Sequence, residues 1–233
     1  MAKHLARIHG TEEDKVNCPF YFKIGACRHM DRCSRLHHKP AFSQTLLFQH
    51  IYKAPTEPGL SPEAKVNHFF DFYEEWYMEL SKFGRLEGLY VADNVGDHLI
   101  GHTYCKFESE EEAADCLQVM HGRYYDGRLI MAEYSPVTDF REARCRDFDD
   151  ESCQRGGYCN FLHVKPIPFP LLRSLEEDAD MDRREVARKE SEERAARKKR
   201  RREEREEKHR SRDRSEGDGD RSPRDYDRDR ERH

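Results

Sequence analysis

Hydrophobic and polar residues follow a regular pattern through the middle of the chain. The run SQTLLFQHIY, residues 43–52, is typical of a buried strand. A helix is predicted to begin at Ser61, because Ser favours the N-cap position and the following Pro62 favours the first turn. Apolar residues at helical spacing then predict its buried face, which consists of Phe69, Phe72, Tyr73, Trp76, Leu80 and Phe83.

The pattern continues with two strands, a second helix and a final strand. LEGLYVADN and LIGHTYCKF predict strands that are joined by a turn at Gly96 and Asp97. Ser109 and Glu112 have the spacing of a capping box and open the second helix, and RLIMAEY predicts the last strand. The order is therefore βαββαβ, which predicts an α+β domain over residues 42–136.

Composition differs along the chain. Only 36% of the residues are hydrophobic, 38% are charged, and the mean hydropathy is -1.08, so part of the chain cannot bury a core. Residues 171–233 are almost wholly charged and are predicted to be largely disordered, because burial cannot offset their conformational entropy. Within them, residues 181–209 are compatible with a solvated helix that carries i,i+4 ion pairs.

The charge and the apolar runs limit the function classes. A formal net charge of -5 argues against a uniformly basic nucleic-acid binder, so any contact with RNA must come from a local patch. No run approaches the roughly 18 to 20 apolar residues that span a bilayer, and the N-terminal segment lacks the apolar region of a signal peptide. We therefore expect a soluble intracellular protein, in which eight cysteines indicate metal binding more than disulfides.

Six of the eight cysteines fall into two copies of one pattern, C-x7 or x8-C-x5-C-x3-H, in the flanking segments 1–41 and 137–170. Three thiolates and one imidazole satisfy tetrahedral zinc without an open position, which favours a structural site. Buried free cysteines are the alternative, but the repeated spacing favours two zinc ions, and the two cysteines without histidine partners are expected in the core. The predicted ligands are Cys18, Cys27, Cys33 and His37, and Cys145, Cys153, Cys159 and His163; Cys105 and Cys116 are the other two.

This spacing resembles the CCCH zinc-finger family, whose members mostly bind single-stranded RNA. Cations that neutralise phosphates and aromatic rings that stack on bases surround the first finger and, more sparsely, the second. The alternative for each ring is that it covers the zinc site. The candidate RNA contacts are Lys15, Phe20, Phe22, Arg28, Ser34, Arg35 and Lys39 in the first finger, and Arg146, Arg155 and Phe161 in the second.

The central domain, with IGHTYCKF at its third strand, resembles an RNA recognition motif. Tyr104 keeps one of the positions that stack bases in that family, but His102 and Leu47 stand where two other aromatic rings are usual. Each missing ring forfeits about 1 to 3 kcal/mol of stacking, so this sheet is predicted to be a poor platform for RNA.

The segment GRYYDG, together with an acidic ridge on the first helix, resembles the U2AF-homology variant of that motif. This variant binds a tryptophan-bearing peptide through an Arg-x-Phe loop and acidic helix residues, and here the final phenylalanine is tyrosine. A solvated helix face is the alternative for the ridge. The resemblance implies partner contacts by Asp71, Glu75, Glu79, Arg123, Tyr124 and Tyr125.

The arrangement of finger, RNA-recognition-type domain, finger and sparse arginine-serine tail resembles the small-subunit family of the U2 auxiliary factor over about residues 1–172. The matching segments include KVNCPFYFKIGACRHMDRCSRLH, DNVGDHLIG and SPVTDFREARC. The resemblance implies a non-enzymatic spliceosomal protein. Its fingers would bind pre-mRNA at the AG of the 3′ splice site, and its central domain would dock on the large subunit.

The tail adds two expectations. RKKRRR, residues 197–202, is typical of a nuclear-localisation patch, so we expect the protein in the nucleus. The sparse Arg-Ser pairs are compatible with contacts to other arginine-serine splicing proteins. Two other functions are left open by the residues: a CCCH regulator of mRNA stability or export, and a zinc-finger-targeted ribonuclease.

Overall fold

The structure, a computed structural model, describes residues 17–216. Lys15, one of the predicted RNA contacts, and the Arg-Ser pair at residues 221–222 lie outside these residues. No helix within them is both long and apolar enough to cross a membrane. The described residues fall into two compact units that divide between Ala179 and Asp180.

The predicted α+β domain is present and is built on a four-stranded antiparallel sheet. Its strands lie in the order β2-β3-β1-β6, with β1 paired to both β3 and β6. The predicted strand over residues 43–52 is paired over only four of its residues. The strands of this sheet are β1 (Thr45–Phe48), β2 (Leu86–Val91), β3 (Thr103–Phe107) and β6 (Ala132–Tyr134).

Two helices cover one face of the sheet, and both begin at the predicted caps. The Ser61 hydroxyl accepts a hydrogen bond from the backbone N–H of Ala64, with Pro62 at the first helical position. Ser109 and Glu112 form a complete capping box, with both hydrogen bonds 3.2 Å long. These contacts satisfy N–H groups that a helix start otherwise leaves open. After α1 (Pro19–Ile24) in the first finger, the helices are α2 (Pro62–Leu80) and α3 (Glu110–Met120).

The main core lies between these helices and the sheet. The predicted apolar face of α2 is buried, and the Trp76 indole packs edge-on against Phe48. Phe83, which was predicted to belong to this face, lies beyond the end of the helix at Leu80 and is partly buried. Cys105 and Cys116 are fully buried, which confirms that they are core residues. Burial raises the pKa of the Cys116 thiol to about 12.

The last predicted strand is divided in two, which corrects the expectation of one continuous strand. Strands β4 (Tyr124–Tyr125) and β5 (Arg128–Leu129) form a separate hairpin, and only β6 joins the main sheet. Asp126 and Gly127, at the hairpin turn, both have positive φ angles, 47° and 70°. This pair is typical of the tight turns that join twisted strands.

The turn predicted at Gly96 and Asp97 lies within a longer connection. Strand β2 ends at Val91 and β3 begins at Thr103, so residues 92–102 join them. We call residues 92–102 the docking loop, because its backbone forms hydrogen bonds with the second finger.

The second face of the sheet is covered by the two flanking segments. Tyr104 is 0% exposed and packs with Ile24 of the first finger and with Val137 and Phe140, which precede the second. Tyr104 is therefore not available for base stacking, which agrees with the prediction that this sheet is a poor platform for RNA. The sheet is closed to RNA in this structure because its usual RNA surface is a second core.

Gly25 allows the first finger to approach the sheet closely. Its φ is 75°, and a Cβ at this position would lie 2.6 Å from the Ser135 hydroxyl oxygen and 3.0 Å from the Tyr104 ring. Both the backbone angle and the space therefore require glycine.

The charged tail forms a helix, α6 (Phe169–Glu216), after the short helices α4 (Phe140–Ala143) and α5 (Arg146–Asp149). The predicted helix over residues 181–209 lies within it. The domain boundary placed at residue 171 falls inside the helix, whose first turns carry Leu175 and Ala179 into the main core. Beyond Ala179 the helix has i,i+4 ion pairs such as Glu185 with Lys189, 2.7 Å apart.

We predict that Phe140→Ala destabilises the folded chain by about 3 to 5 kcal/mol. The Phe140 ring stacks on Tyr90 with centroids 4.0 Å apart and meets Tyr104 edge-on at 5.7 Å, so its loss opens the second core. Chemical unfolding monitored by tyrosine fluorescence measures this. Phe42→Ala is the matched control, because Phe42 is 66% exposed, and an equal loss from both changes would contradict the burial argument.

Candidate zinc centres and binding surfaces

The first finger gathers its four predicted ligands around one point. The Sγ atoms of Cys18, Cys27 and Cys33 and a ring nitrogen of His37 all lie within 4.8 Å of one another. Cys18 caps α1 (Pro19–Ile24), and Cys33 ends the short 3-10 helix Met30–Arg32. These short helices reverse the direction of the chain and so bring the four ligands to one site.

The second finger repeats this geometry. Its four ligands also lie within 4.8 Å, and Cys145 caps α5 as Cys18 caps α1. The backbone N–H of each first cysteine donates to a leucine carbonyl just before the histidine, at 3.0 Å from Cys18 to Leu36 and 2.8 Å from Cys145 to Leu162. The two segments are therefore one motif used twice.

Each zinc-binding histidine is held by an aromatic ring of its own finger. Tyr21 stacks on His37 with centroids 4.6 Å apart, and Phe148 stacks on His163 at 4.0 Å. The Nε2 atoms of both histidines are buried and have no hydrogen-bond partner among the residues that the structure describes. A buried nitrogen without a partner is costly unless it binds something else, and a zinc ligand atom fits this position.

Sulfur spacing in the second finger matches tetrahedral zinc. The Cys145 Sγ lies 3.8 Å from the Sγ atoms of both Cys153 and Cys159. Zn–S bonds of about 2.3 Å in a regular tetrahedron place two sulfurs about 3.8 Å apart, whereas a disulfide requires about 2.05 Å. All eight cysteines are free, so the spacing fits a metal and not a disulfide.

The thiols also need a cation for electrostatic reasons. Burial raises the pKa of Cys27 and of Cys145 to about 12, so without a metal these groups would stay protonated at neutral pH. Zinc would hold them as thiolates. Three thiolates and one imidazole leave no open position, so each ion would have a structural role.

The predicted RNA contacts of the first finger are mostly exposed. Arg28, Ser34 and Arg35 all face solvent, and the two arginines have no acidic partner within residues 17–206. Lys39 is exposed but forms an ion pair with Glu133 on β6. Its charge is therefore partly compensated, which the sequence did not predict.

The aromatic candidates divide into two kinds. Phe22 is 1% exposed and packed inside the finger, so its predicted role in stacking on RNA is contradicted. Phe20 is 38% exposed and meets Phe161 of the second finger edge-on, with centroids 6.2 Å apart. These two rings join the fingers into one continuous surface.

A basic cavity of about 340 Å³ lies beside this contact. Arg155 is 3.6 Å from Asp147, whereas Arg146 has no acidic partner within the described side chains. Arg141 and Arg144 are also paired, with Asp139 at 2.8 Å and with Asp149 at 2.7 Å, so much of the positive charge of this cavity is compensated. Its lining includes Lys23, Arg141, Arg144, Arg146, Arg155 and Phe161.

A second cleft, of about 550 Å³, lies between the fingers and the docking loop and contains a residue that the sequence did not reveal. Tyr158 lines this cleft with Arg28 and Arg32, and it is 77% exposed. An exposed aromatic ring beside two cations is typical of a surface that binds unpaired bases. No local sequence pattern marks this position, because the cleft is formed by three separate segments of the chain.

The predicted partner residues come together at the hairpin and α2. Arg123 donates to a Glu79 carboxylate oxygen at 2.9 Å, and the Tyr125 hydroxyl donates to Glu75 at 2.7 Å. The hydroxyl that distinguishes Tyr125 from phenylalanine thus has a partner. Hydrogen bonds from Lys82 and Arg123 lower the pKa of Glu79.

Two of these residues, Glu75 and Tyr125, line a groove of about 480 Å³. The Tyr125 ring packs edge-on against Trp76 with centroids 5.3 Å apart, while Tyr124 is 76% exposed at the rim. The acidic residues Asp71 and Glu75 line the same groove. Lys53 and Arg128 line it as well, so the groove combines aromatic surface with charges of both signs.

Comparison with known proteins agrees with the zinc geometry and the sheet topology. Residues 13–39 match the zinc finger family described as C-x8-C-x5-C-x3-H type (and similar), and residues 73–131 match the RNA recognition motif. The protein is thus of the class that joins CCCH zinc fingers to an RNA recognition motif fold.

Relatives of known name refine this class. This chain is 55% identical to a splicing factor U2af small subunit of Arabidopsis thaliana, over 75% of this chain and 65% of that protein. It is 52% identical to the splicing factor U2AF 23 kDa subunit of Schizosaccharomyces pombe, over 75% of this chain and 83% of that protein. Identity to the splicing factor U2AF 26 kDa subunit of Bos taurus is 48%, over 75% of this chain and 84% of that protein.

The chain belongs to the U2AF small subunit family of splicing factors. It spans less than two thirds of the length of the plant relatives that it matches, 60 to 65% of each.

We predict that the purified chain contains two equivalents of zinc, one for each ligand set. Cys33→Ala or His163→Ala should lower the content to about one equivalent, because a three-ligand remnant loses much of the metal's contribution to folding. Elemental analysis measures this. Cys116→Ala, which alters a cysteine outside both sets, should keep two equivalents, and a native content of one or none would contradict the two-site interpretation.

Proposed function

We propose that this protein is the small subunit of a splicing-factor heterodimer. Its paired zinc fingers bind pre-mRNA at the AG of the 3′ splice site, and its central domain docks a tryptophan-bearing segment of the large subunit. The observation that carries this proposal is that the fingers cover the sheet and contact each other through Phe20 and Phe161. The usual RNA surface of the domain is closed, and a new one is formed by the fingers.

Charge and rigidity support RNA binding by the fingers. Arg28 and Arg35 present unpaired positive charge for phosphates. Ser34 lies between the third and fourth zinc ligands, where the metal would hold the backbone and a base could meet a short hydroxyl at little ordering cost. Arg146 and Phe161 extend the same surface onto the second finger. The names of the relatives, splicing factors all, favour the splice site as the RNA over a role in mRNA stability or export.

The groove beside α2 supports peptide binding by the central domain. Its acidic side, Asp71 with Glu75, would face basic residues of the partner segment. Tyr125 and Arg123 are already held by hydrogen bonds, so the hairpin needs little ordering when a tryptophan enters. Tyr124, exposed at the rim, would pack against the partner on the outside.

The cellular setting follows from the same proposal. Residues 197–202 are six consecutive cations, all exposed on α6, and would serve as a nuclear-localisation patch. The Arg-Ser pairs would contact other arginine-serine splicing proteins. Since the relatives are named splicing factors, we propose a binding role without catalysis, and their names favour it over a zinc-finger-targeted ribonuclease.

For the partner groove, we predict that Tyr125→Ala weakens large-subunit binding by about 30-fold, the loss typical of an interface hot spot. Glu75→Lys should weaken it too, and more strongly at low salt, because the change reverses a charge that attracts the partner. Titration calorimetry with the full-length chain measures both effects. Glu74→Lys makes the same charge change at the adjacent exposed position and should have a small effect; equal losses from both lysine variants would contradict a specific groove.

For the fingers, we predict that Arg28→Ala weakens all RNAs alike and lowers the salt dependence by about one phosphate contact. Lys39→Ala should cost less, because Glu133 already pairs with that charge. Ser34→Trp should change which nucleotide is tolerated beside the AG. Binding to a small panel of 3′ splice-site RNAs tests this, and an equal loss on every RNA for Ser34→Trp would mean that Ser34 does not read sequence.

A further inference from the structure

The docking loop, residues 92–102, attaches the second finger to the sheet through its backbone. The N–H of Asp93 donates to the carbonyl of His163 at 2.7 Å, and the N–H of Val95 donates to the carbonyl of Gly157 at 2.8 Å. Ala92 and Val164 form an antiparallel bridge next to these bonds. The end of the finger thus runs along the loop as an added strand would.

Asn94 fixes the same contact with its side chain. Its Nδ2 donates to the carbonyl oxygens of Cys159 and Phe161, each at 3.0 Å, and its Oδ1 accepts the N–H of His163 at 2.8 Å. The side chain is 2% exposed. One amide therefore brackets the segment that carries two of the four zinc ligands.

Only an amide satisfies all three partners. The two carbonyl oxygens need donors and the N–H of His163 needs an acceptor, so the carboxylate of an Asn94→Asp variant would face two oxygens without a proton to offer. Alanine would leave all three backbone groups buried and unpaired. Gly157 completes the fit, because a Cβ there would lie 2.7 Å from the Val95 side chain.

The opposite end of the docking loop contacts the first finger. Leu99 is fully buried and belongs to the same apolar cluster as Ile24 and Ala26. A hydrogen bond joins the first and last residues of the loop, since the N–H of Ala92 donates to the carbonyl of His102 at 2.9 Å. The docking loop therefore contacts both fingers and fixes the distance between them.

We propose that Asn94 is a positioning residue that fixes the second finger relative to the first and thereby sets how well the protein discriminates between RNA sequences. The inference rests on the proposed function of the fingers. Asn94 is 2% exposed and acts through backbone groups of the finger, so it need not touch RNA.

Discrimination should depend on Asn94 more than affinity does. Phosphate attraction comes from exposed arginines, such as Arg28 on the first finger and Arg146 on the second. Both side chains remain available when the second finger undocks from the loop. A finger released from the loop stays tethered through the chain, so its effective concentration near the RNA is still high. Reading two adjacent bases, in contrast, requires both fingers at a fixed spacing, which the amide provides.

The test compares Asn94→Asp and Asn94→Ala with the natural chain, at full length and loaded with zinc. Binding is measured on a 3′ splice-site RNA that contains AG and on the same RNA with CG in its place. We expect the ratio of the two dissociation constants to fall by about tenfold in both variants, the scale of one lost buried polar contact. Asn67→Asp makes the same chemical change at an exposed position of α2 and should leave the ratio unchanged.

Two further measurements on the same samples separate positioning from other effects. Zinc content should stay at two equivalents, and amide hydrogen exchange of residues 91–95 should become faster in the variants, since the N–H groups of Asp93 and Val95 lose their partners when the finger undocks. Loss of one zinc would overturn the inference, because Asn94 would then be part of the metal site's own stability. Unchanged exchange or an unchanged ratio would overturn it as well.

The outcome also distinguishes the inference from the proposed function. A natural chain without preference for AG overturns the proposed function and the inference with it. A natural chain that prefers AG, with variants that keep the preference, overturns only the role of Asn94.

Discussion

The burial of one sheet face under the two zinc fingers is the constraint on which the remaining structure depends. Tyr104 at the centre of that face is closed off by Phe140 and by the backbone of Gly25. An RNA recognition motif normally leaves this surface to solvent and nucleic acid. Here it is a second hydrophobic core, so the domain is a scaffold that holds the fingers on one side and keeps its helices and hairpin available on the other.

Metal and packing act together in this arrangement. Each finger has too few apolar residues to fold alone, and the four ligands make its fold dependent on zinc. The finger in turn supplies residues such as Ile24 and Leu162 to the second core. The metal sites therefore stabilise the second core as well as their own ligands. The docking loop then fixes the spacing between the two fingers.

Local chemistry explains what the sequence could predict. The zinc ligands follow from spacing alone, because a tetrahedral site needs donors that a short loop can bring together. The caps at Ser61 and Ser109 and the buried face of α2 are likewise set within a few residues, so their patterns were sufficient. The partner contacts of Glu75 and Tyr125 came instead from a family resemblance and stay a prediction, whereas the hydrogen bond between these two residues is a finding of the structure.

Contacts between distant segments explain what the sequence could not predict. Phe22 and Tyr104 are aromatic residues in positions that suggest base stacking, and only the folded structure shows that both are buried. Lys39 is paired with Glu133, which is far away in the sequence, so its charge could not be judged alone. Tyr158 and Asn94 were missed for the same reason, since their roles depend on a cleft and a loop contact formed by three separate segments.

The two Cys3His sets have a consequence for the life of the protein in a cell. A chain that loses zinc would release the fingers and uncover the apolar face around Leu47, Leu99 and Tyr104. Exposed apolar surface of this kind promotes aggregation and is recognised by chaperones and proteases. Zinc supply would therefore control the amount of folded protein in the cell. The metal would have this effect although it takes no direct part in reading RNA.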